Sequence, residues 1–145
     1  MKILFVCTGN VCRSFTAQKL FEKMMKGSNN CAKSCGVMAE SYFRVPSKLA
    51  ALLEKEGISA EGHRPSLISE ELVNWADVLL VMEDAQKKHI TAKFPQGGRK
   101  THLLTVFSNH GTGDIADPMG RDEKAYAAMI CEVKACLQSM NSRFA

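Results

Sequence analysis

The sequence predicts one α/β domain over residues 1–145, with a four-stranded, mainly parallel sheet flanked by helices. Short apolar runs typical of buried strands alternate along the chain with longer segments in which apolar residues recur at helical spacing. Strands and helices that alternate in this way usually form a parallel sheet. The 145 residues are 46% hydrophobic and 23% charged, which suits one compact domain with its own buried core.

The first half of the chain begins with a strand and a helix. The segment 2–6, which is apolar from Ile3 onward, predicts a buried strand. In residues 14–26, Leu20 and Met24 recur at helical spacing, and Gly27 begins a polar stretch that ends this helix. The further elements expected here are a second strand near 33–39, a helix from Pro46 that Gly57 closes, and a short helix from Ser69.

The second half continues the alternation. Residues 77–82 contain five consecutive apolar residues, which is typical of a central strand in a parallel sheet. The other elements expected are a helix over 84–93, a turn over 95–98, a fourth strand over 103–107, a Gly- and Asp-rich loop over 108–120 and a last helix over 124–140.

The segment that joins the first strand to the first helix has the composition of an anion site. Backbone N–H groups converge where such a loop enters a helix, and the helix dipole adds positive potential. Gly9 and Asn10 tolerate the left-handed backbone that a tight curl needs. Arg13 offers a planar charged fork that fits two phosphate oxygens, and Ser14 adds a hydroxyl donor. We call residues 8–14 the phosphate loop, with these candidate ligands: Thr8, Gly9, Asn10, Val11, Cys12, Arg13 and Ser14.

Cys7 ends the first strand at the base of the phosphate loop. Converging N–H groups and a nearby arginine stabilise a thiolate, which is the nucleophilic form of cysteine. A thiolate beside a phosphate seat suits in-line attack on phosphorus through a phosphocysteine intermediate. The pattern of a nucleotide-binding P-loop is absent, and the four residues between Cys7 and Cys12 exceed the two of a thioredoxin-type pair. A buried structural cysteine is the alternative for Cys7.

Residues 7–14, Cys-Thr-Gly-Asn-Val-Cys-Arg-Ser, resemble the signature loop of the low-molecular-weight protein tyrosine phosphatases. The resemblance extends along nearly the whole chain. It implies a four-stranded parallel sheet flanked by helices, a phosphorylated protein as substrate, and phosphate or another oxyanion in the loop. The hydrolysis itself requires no metal and no organic cofactor. The other segments that carry the resemblance are 34–37, 63–66, 76–82 and 114–118.

The resemblance also implies roles outside the phosphate loop. The leaving oxygen of a phosphate ester needs a proton, and the attacking water then needs a base. Asp117, followed by Pro118, is the candidate for both steps, so the catalytic set is Cys7, Arg13 and Asp117. Asn10 and Ser14 are expected to support the loop, with His63 as the partner of Asn10.

Cys12 is close to Cys7 in any such loop. The resemblance implies that oxidation could join the two thiols reversibly and protect the nucleophile. The alternative is that Cys12 is a small packed side chain. No cysteine pair comes with histidines at zinc-ligand spacing, so no metal site is predicted.

Two other functions compete with that of a tyrosine phosphatase. Arsenate reductases of the same fold need further cysteines after the central strand, and residues 82–86 contain none. A non-catalytic phosphate-binding module would have no use for Cys7 or Asp117.

The substrate is the finer question, because one branch of the resembling family removes phosphate from arginine in proteins. That branch resembles this chain but has a threonine at the position of Val11, where tyrosine phosphatases have an isoleucine. Val11 is apolar and β-branched, which favours phosphotyrosine. Tyr42, Phe43 and Met119 are candidates for an aromatic cleft. Phe15 and residues 119–121 depart from the usual pattern.

Charge and targeting signals suggest the partners and the location. A net charge of +4 without a dense Lys/Arg run does not predict nucleic-acid binding. The apolar run 3–6 is shorter than the roughly 7–15 residues of a signal-peptide core, and no stretch approaches the ~18 of a membrane span. We therefore expect a cytoplasmic protein that does not bind membranes, with its six cysteines as thiols.

Overall fold

A computed structural model describes residues 1–144 and contains one four-stranded sheet. All of its strand pairs are parallel, and the order across the sheet is β2-β1-β3-β4. The prediction of an α/β fold on a four-stranded sheet is confirmed, and the sheet is wholly parallel rather than mainly so. The strands are β1 (Lys2–Cys7), β2 (Cys31–Gly36), β3 (Val78–Val81) and β4 (Thr101–Leu103).

Helices cover both faces of this sheet. On one face Phe5 of β1 packs in a cluster with Leu20, Leu53 and Val133. On the other face Leu4 and its neighbours pack against the helices that precede and follow β3 in the chain. The helices are α1 (Arg13–Met24), α2 (Ser47–Lys55), α3 (Glu70–Trp75), α4 (Asp84–Lys93), α5 (Leu104–Phe107) and α6 (Glu123–Met140), with 3-10 turns at Pro95–Lys100 and Asn141–Phe144.

Alternate residues of β1 point to opposite faces, and every residue from Ile3 to Val6 is fully buried. This explains why β1 and β3 are continuous apolar runs: central strands of a parallel sheet are covered on both faces. Polar side chains fix several helix starts. Asp122 accepts a hydrogen bond from the Ala125 N–H at 3.1 Å, and Ser69 accepts one from the Leu72 N–H at 3.2 Å.

The expected fourth strand over 103–107 is wrong. The strand comprises Thr101–Leu103, and the next four residues form α5. A short apolar run fits a buried strand and a buried helix equally well, so only the tertiary register decides. Here Thr101 lies opposite Leu79, and Leu103 opposite Val81, where β3 also ends.

The second strand begins and ends earlier than the expected 33–39, because its pairing with β1 ends at Gly36 opposite Cys7. The expected turn over 95–98 extends into the 3-10 turn. The expected helix over 84–93 has those bounds, and the other expected helices are present with boundaries that differ by one or two residues.

The carboxyl ends of β1 and β3 lie side by side in this topology, with the amino ends of α1 and α4 just beyond them. Ligands of open parallel sheets bind at this end. In the part of the chain that the structure describes, no helix is both long and apolar enough to cross a bilayer.

Candidate active site

The phosphate loop curls between β1 and α1 around Asn10, which has a φ of 62° and is fully buried. Asparagine is one of the few residues that adopts this left-handed backbone readily. Its side chain also holds the curl. The Asn10 Nδ2 donates to Ser14 Oγ and to Ser34 Oγ, both at 2.9 Å, and its Oδ1 accepts from the Ser66 N–H at 2.9 Å. Three segments are thereby fixed to one side chain.

The end of β2 is packed tightly against the phosphate loop. A Cβ atom on Gly36 would lie 2.4 Å from the Thr8 carbonyl oxygen, so only glycine fits at this position. Beyond Gly36 the chain continues alongside the loop, where the Val37 N–H donates to the Cys7 carbonyl and the Met38 N–H to the Thr8 carbonyl, each at 2.9 Å.

The Cys7 sulfur lies inside the curl, with the residue 2% exposed. It accepts a hydrogen bond from the Asn10 N–H at 3.3 Å and lies 2.9 Å from Ser14 Oγ. The Ser14 hydroxyl is also 3.2 Å from the Cys35 carbonyl, to which it can donate. The Asn10 N–H is thus a donor to the sulfur, and the single Ser14 hydroxyl proton can go either to the sulfur or to the Cys35 carbonyl.

Arg13 begins α1 and is only 2% exposed. Its Nη1 donates to the Ile115 carbonyl at 2.8 Å and lies 2.6 Å from Glu83 Oε2. Its Nη2 lies 3.8 Å from Asp117 Oδ2. The Arg13 Nε is buried and has no hydrogen-bond partner within the described chain. A buried N–H without a partner costs free energy unless a ligand accepts a hydrogen bond from it. An oxyanion that binds the guanidinium through two oxygens can do so.

Asp117 belongs to the loop between α5 and α6, residues 108–122, which we call the acid loop. Its side chain is 50% exposed, and its Oδ1 accepts the Met119 N–H at 3.0 Å. The Ile115 N–H donates to the Met82 carbonyl at 2.8 Å, which fastens the acid loop beside the end of β3. Asp114 has a different task, since its Oδ1 accepts the Asp84 N–H at the start of α4.

His63 contacts the phosphate loop through the backbone rather than through the Asn10 side chain. Its Nε2 donates to the Asn10 carbonyl at 2.7 Å, and its ring packs on Phe15 with the centroids 4.1 Å apart. Burial lowers the pKa of His63 below its ordinary value. The hydrogen bond to the Asn10 carbonyl acts in the opposite direction, but its effect is smaller than that of burial. The neutral ring therefore supports the loop as a donor.

Val11 and Cys12 complete the loop as buried apolar side chains, 2% and 4% exposed. Burial raises the pKa of the Cys12 thiol to about 12, and Cys7 and Asp117 act in the same direction, against Arg13. Cys12 is therefore a protonated thiol in the core at neutral pH. Its redox role remains a prediction.

These residues together can hold a tetrahedral oxyanion next to a nucleophilic sulfur and a carboxyl group. The comparisons with known proteins agree with this chemistry. Residues 2–144 match the model of the low molecular weight phosphotyrosine protein phosphatase family. The chain belongs to this family. The expected enzyme class is confirmed, since members of the family are cysteine-dependent hydrolases.

Individual relatives fall into two groups by name. A protein-arginine-phosphatase of Geobacillus stearothermophilus is 36% identical over 140 residues, which are 96% of this chain and 93% of that protein. A probable low molecular weight protein-tyrosine-phosphatase of Ralstonia solanacearum is 34% identical over 132 residues, 91% of this chain and 88% of that protein. The crystal structure of a low molecular weight protein tyrosine phosphatase from T. tengcongensis has a TM-score of 0.93 and 32% identity, covering 99% of both chains.

Several contacts of this phosphatase site were not expected from the sequence. Glu83 pairs with Arg13, and the Gln86 Nε2 donates to Thr8 Oγ1 at 3.1 Å while its Oε1 accepts the Met82 N–H at 2.9 Å. Both residues follow the predicted central strand directly. That position, at the carboxyl end of a strand next to β1, is the signal that could have identified them.

An aromatic wall stands beside the phosphate loop. Phe43 lies against Gly9, where an added Cβ would be 3.3 Å from its ring. Tyr42 packs edge-on against Phe43 with the ring centroids 5.0 Å apart, and Tyr42 is 72% exposed. Met119 of the acid loop is 46% exposed, and Tyr126 of α6 donates its hydroxyl to the Met119 sulfur at 3.8 Å.

Proposed function

We propose that this phosphatase hydrolyses phosphotyrosine in proteins, with Cys7 as nucleophile, Arg13 as oxyanion ligand and Asp117 as general acid and then general base. The observation that carries the assignment is the Arg13 guanidinium. Its Nη1 is held by the Ile115 carbonyl and the Glu83 carboxylate, whereas the buried Nε–H has no partner among residues 1–144. A phosphoryl oxygen beside Cys7 would complete it.

The reaction runs in two displacements. The Cys7 thiolate attacks phosphorus, the bond from phosphorus to the tyrosyl oxygen breaks, and Asp117 transfers its proton to that oxygen. Asp117, now ionised, takes a proton from water, which attacks the phosphocysteine. Phosphate leaves, and the Cys7 thiolate is restored with Asp117 protonated again. Ser14 and the Asn10 N–H support the thiolate in both its leaving and attacking roles.

The side chains around the loop support a phenyl ring as the group to be released. Val11 is buried and apolar, and Phe43 and Tyr42 stand next to the phosphate loop. Aromatic rings pack edge-to-face or offset against one another, so these side chains can hold a phosphotyrosine ring.

Phosphoarginine is the second candidate, and the names of the relatives favour it. The Geobacillus relative at 36% identity and a Bacillus subtilis relative at 34% are both protein-arginine-phosphatases. The side chain at position 11 argues against phosphoarginine. The arginine-phosphatase branch, which this chain resembles, has a threonine at this position, whereas Val11 carries no hydroxyl.

The test compares initial rates on a phosphotyrosine peptide and a phosphoarginine peptide of the same length, with Cys7→Ser as the blank. We expect faster release from phosphotyrosine. Val11→Thr replaces one buried methyl by a hydroxyl of the same size, and it should shift the ratio of rates towards phosphoarginine. Faster phosphoarginine release by the unaltered protein would overturn the substrate assignment. No rate above the Cys7→Ser blank on either peptide would overturn the phosphatase function for both classes.

We further propose that the protein acts in the cytoplasm. All six cysteines are unpaired thiols in the structure, including the exposed Cys31 and Cys131. Unpaired cysteines suit a reducing compartment.

A further inference from the structure

A second concave surface adjoins the phosphate loop. It is a cleft of about 650 Å³ between the segment 41–50 and the segment 60–65. Two arginines line it, Arg44 from the first segment and Arg64 from the second, and both are exposed. Nothing in the proposed chemistry uses either of them.

Both walls of this cleft are attached to the phosphate loop. In one wall, Phe43 lies against Gly9, and Arg44 follows it directly in the chain. In the other wall, His63 donates to the Asn10 carbonyl, and Arg64 is the next residue. The cleft is thus joined to two consecutive residues of the oxyanion seat, one through each wall. The cleft therefore borders the part of the phosphate loop that would receive the phosphorylated residue of a peptide.

The Arg44 guanidinium is held by hydrogen bonds to its own segment. Arg44 Nη1 donates to the Ser41 carbonyl at 2.9 Å and to the Phe43 carbonyl at 2.8 Å, which fixes the group against the backbone and leaves its other N–H groups for a ligand. No ion pair within residues 1–144 involves Arg64 or Arg44. Arginine in such a position suits the planar oxygens of a carboxylate or a phosphate.

The remaining charges of the cleft leave it cationic. Glu61 lines it and is exposed, so it offsets part of the potential. His63 also lines it, and burial lowers its pKa, so the ring adds no charge near neutral pH. Two arginines against one glutamate give a surface that attracts an anionic side chain.

We propose that this cleft binds an acidic side chain of the substrate protein, a few residues from the phosphorylated one, through Arg44 and Arg64. The proposal rests on the proposed function and adds the substrate sequence that it prefers. Recognition of acidic segments by clustered arginines is a common mode of peptide binding. A second phosphate group presents the same oxygen chemistry, so the experiment includes both sources of negative charge.

The experiment measures kcat/KM at low ionic strength on a set of phosphotyrosine peptides. Each carries one glutamate at a position from three before to three after the phosphotyrosine, and each has a glutamine partner of the same sequence. We expect at least one position at which glutamate raises kcat/KM about fivefold, the upper range for an exposed ion pair, and the gain should fall as salt is added. A phosphoserine peptide at the preferred position separates a second phosphate from a carboxylate.

The variants are Arg64→Ala, Arg64→Glu and Glu61→Gln, with the exposed Arg99→Ala near the opposite end of the sheet as the matched control. Arg64→Ala should reduce the preference for glutamate towards one, Arg64→Glu should reverse it, and Glu61→Gln should increase it. Arg99→Ala should retain the preference of the unaltered protein. Because Arg44 also holds two backbone carbonyls, its replacement would disturb the wall, so the test relies on Arg64.

Equal rates on every glutamate and glutamine pair would overturn the inference, as would a preference that Arg64→Ala and Arg64→Glu leave unchanged. Turnover of p-nitrophenyl phosphate, which has no flanking residues, is measured in parallel against Cys7→Ser. A protein that hydrolyses p-nitrophenyl phosphate without a preference among peptides retains the phosphatase function and loses only this inference. A protein inactive on all of them loses both.

Discussion

The phosphate loop and the acid loop meet at Arg13 and are built in opposite ways. Asn10 and Ser14 are fully buried, and both make hydrogen bonds to other buried groups. Asp117 is half exposed, and within residues 1–144 its carboxylate has two polar partners, the Met119 N–H of its own loop and the more distant Arg13 Nη2. One loop is part of the buried core, and the other presents its carboxylate at the surface.

This difference matches two different chemical demands. A seat for a dianion stabilises charge best when its donors are oriented before the ligand arrives, because reorientation during the reaction costs free energy. A proton donor must reach leaving groups of different shape and then a water molecule, so it must lie next to solvent. Arg13 links the two parts, since its Nη1 binds the Ile115 carbonyl of the acid loop while the residue itself begins α1.

The largest effect on kcat is expected when the phosphate loop loses the guanidinium of Arg13. Arg13→Lys keeps the charge and loses the planar fork, so we expect kcat to fall by about a thousandfold, the upper range for removal of one oxyanion donor. Steady-state kinetics on p-nitrophenyl phosphate measure this effect, together with inhibition by phosphate, which should weaken.

Arg99→Lys provides the control for the same change of residue at an exposed site. Arg13→Lys alters the ion pair with Glu83 and could disturb the fold for that reason. Circular dichroism of the variant checks that the fold is kept. A folded Arg13→Lys protein with a rate within tenfold of the original would contradict the role of the fork.

A smaller effect that depends on the substrate is expected from the acid loop. Asp117→Asn keeps the size of the side chain and removes the proton, so we expect kcat to fall by about a hundredfold, the lower range for general acid catalysis. The loss should be greatest for poor leaving groups such as a phenyl or alkyl oxygen, and least for p-nitrophenol. A series of aryl phosphates measures the dependence on leaving-group pKa.

Asp114→Asn is the matched control within the same loop, because Asp114 accepts a backbone N–H rather than facing Arg13. If Asp117→Asn lost the same factor with every leaving group, its effect would be on loop structure and not on proton transfer.

The sequence predicted the position and the tight turn of the phosphate loop because the residues that shape it are contiguous. Gly9, Asn10 and Arg13 lie within a few residues of Cys7, and the strand before and the helix after them are strongly patterned. The turn at Asn10 needs a residue that accepts positive φ, and asparagine supplies that locally. Short-range physics was therefore sufficient for this part of the site.

The rest of the site depends on which strands are neighbours, and composition does not encode this. Glu83 reaches Arg13 only because β3 pairs with β1 in register, so that both strands end at the same edge of the sheet. Ser34 and Ser66 reach Asn10 for a similar reason, from β2 and the segment after α2. The fourth strand was misplaced because Thr101 is selected by its pairing with Leu79 and not by local apolar character.

The smallest effect is expected at the support of the seat, as a dependence of stability on pH. The folded protein holds the pKa of His63 below its ordinary value of 6.5, chiefly through burial. The unfolded chain therefore binds a proton at His63 more readily than the folded protein does. The contribution of His63 to the free energy of unfolding is fully present above about pH 6.5 and is lost as the pH falls towards the folded pKa. Urea unfolding between pH 7.5 and pH 5 measures this slope.

His63→Gln removes the titration and keeps an N–H that can donate to the Asn10 carbonyl, so its stability should fall less steeply with decreasing pH. Burial also lowers the pKa of His102, so a slope of the same sign should remain in the variant. The exposed His110→Gln in the acid loop is the control and should follow the unaltered protein. Identical slopes for all three proteins would mean that the stability of the phosphate loop does not depend on the neutral His63 ring. The buried support of this loop would then be limited to the contacts of Asn10 and its other partners.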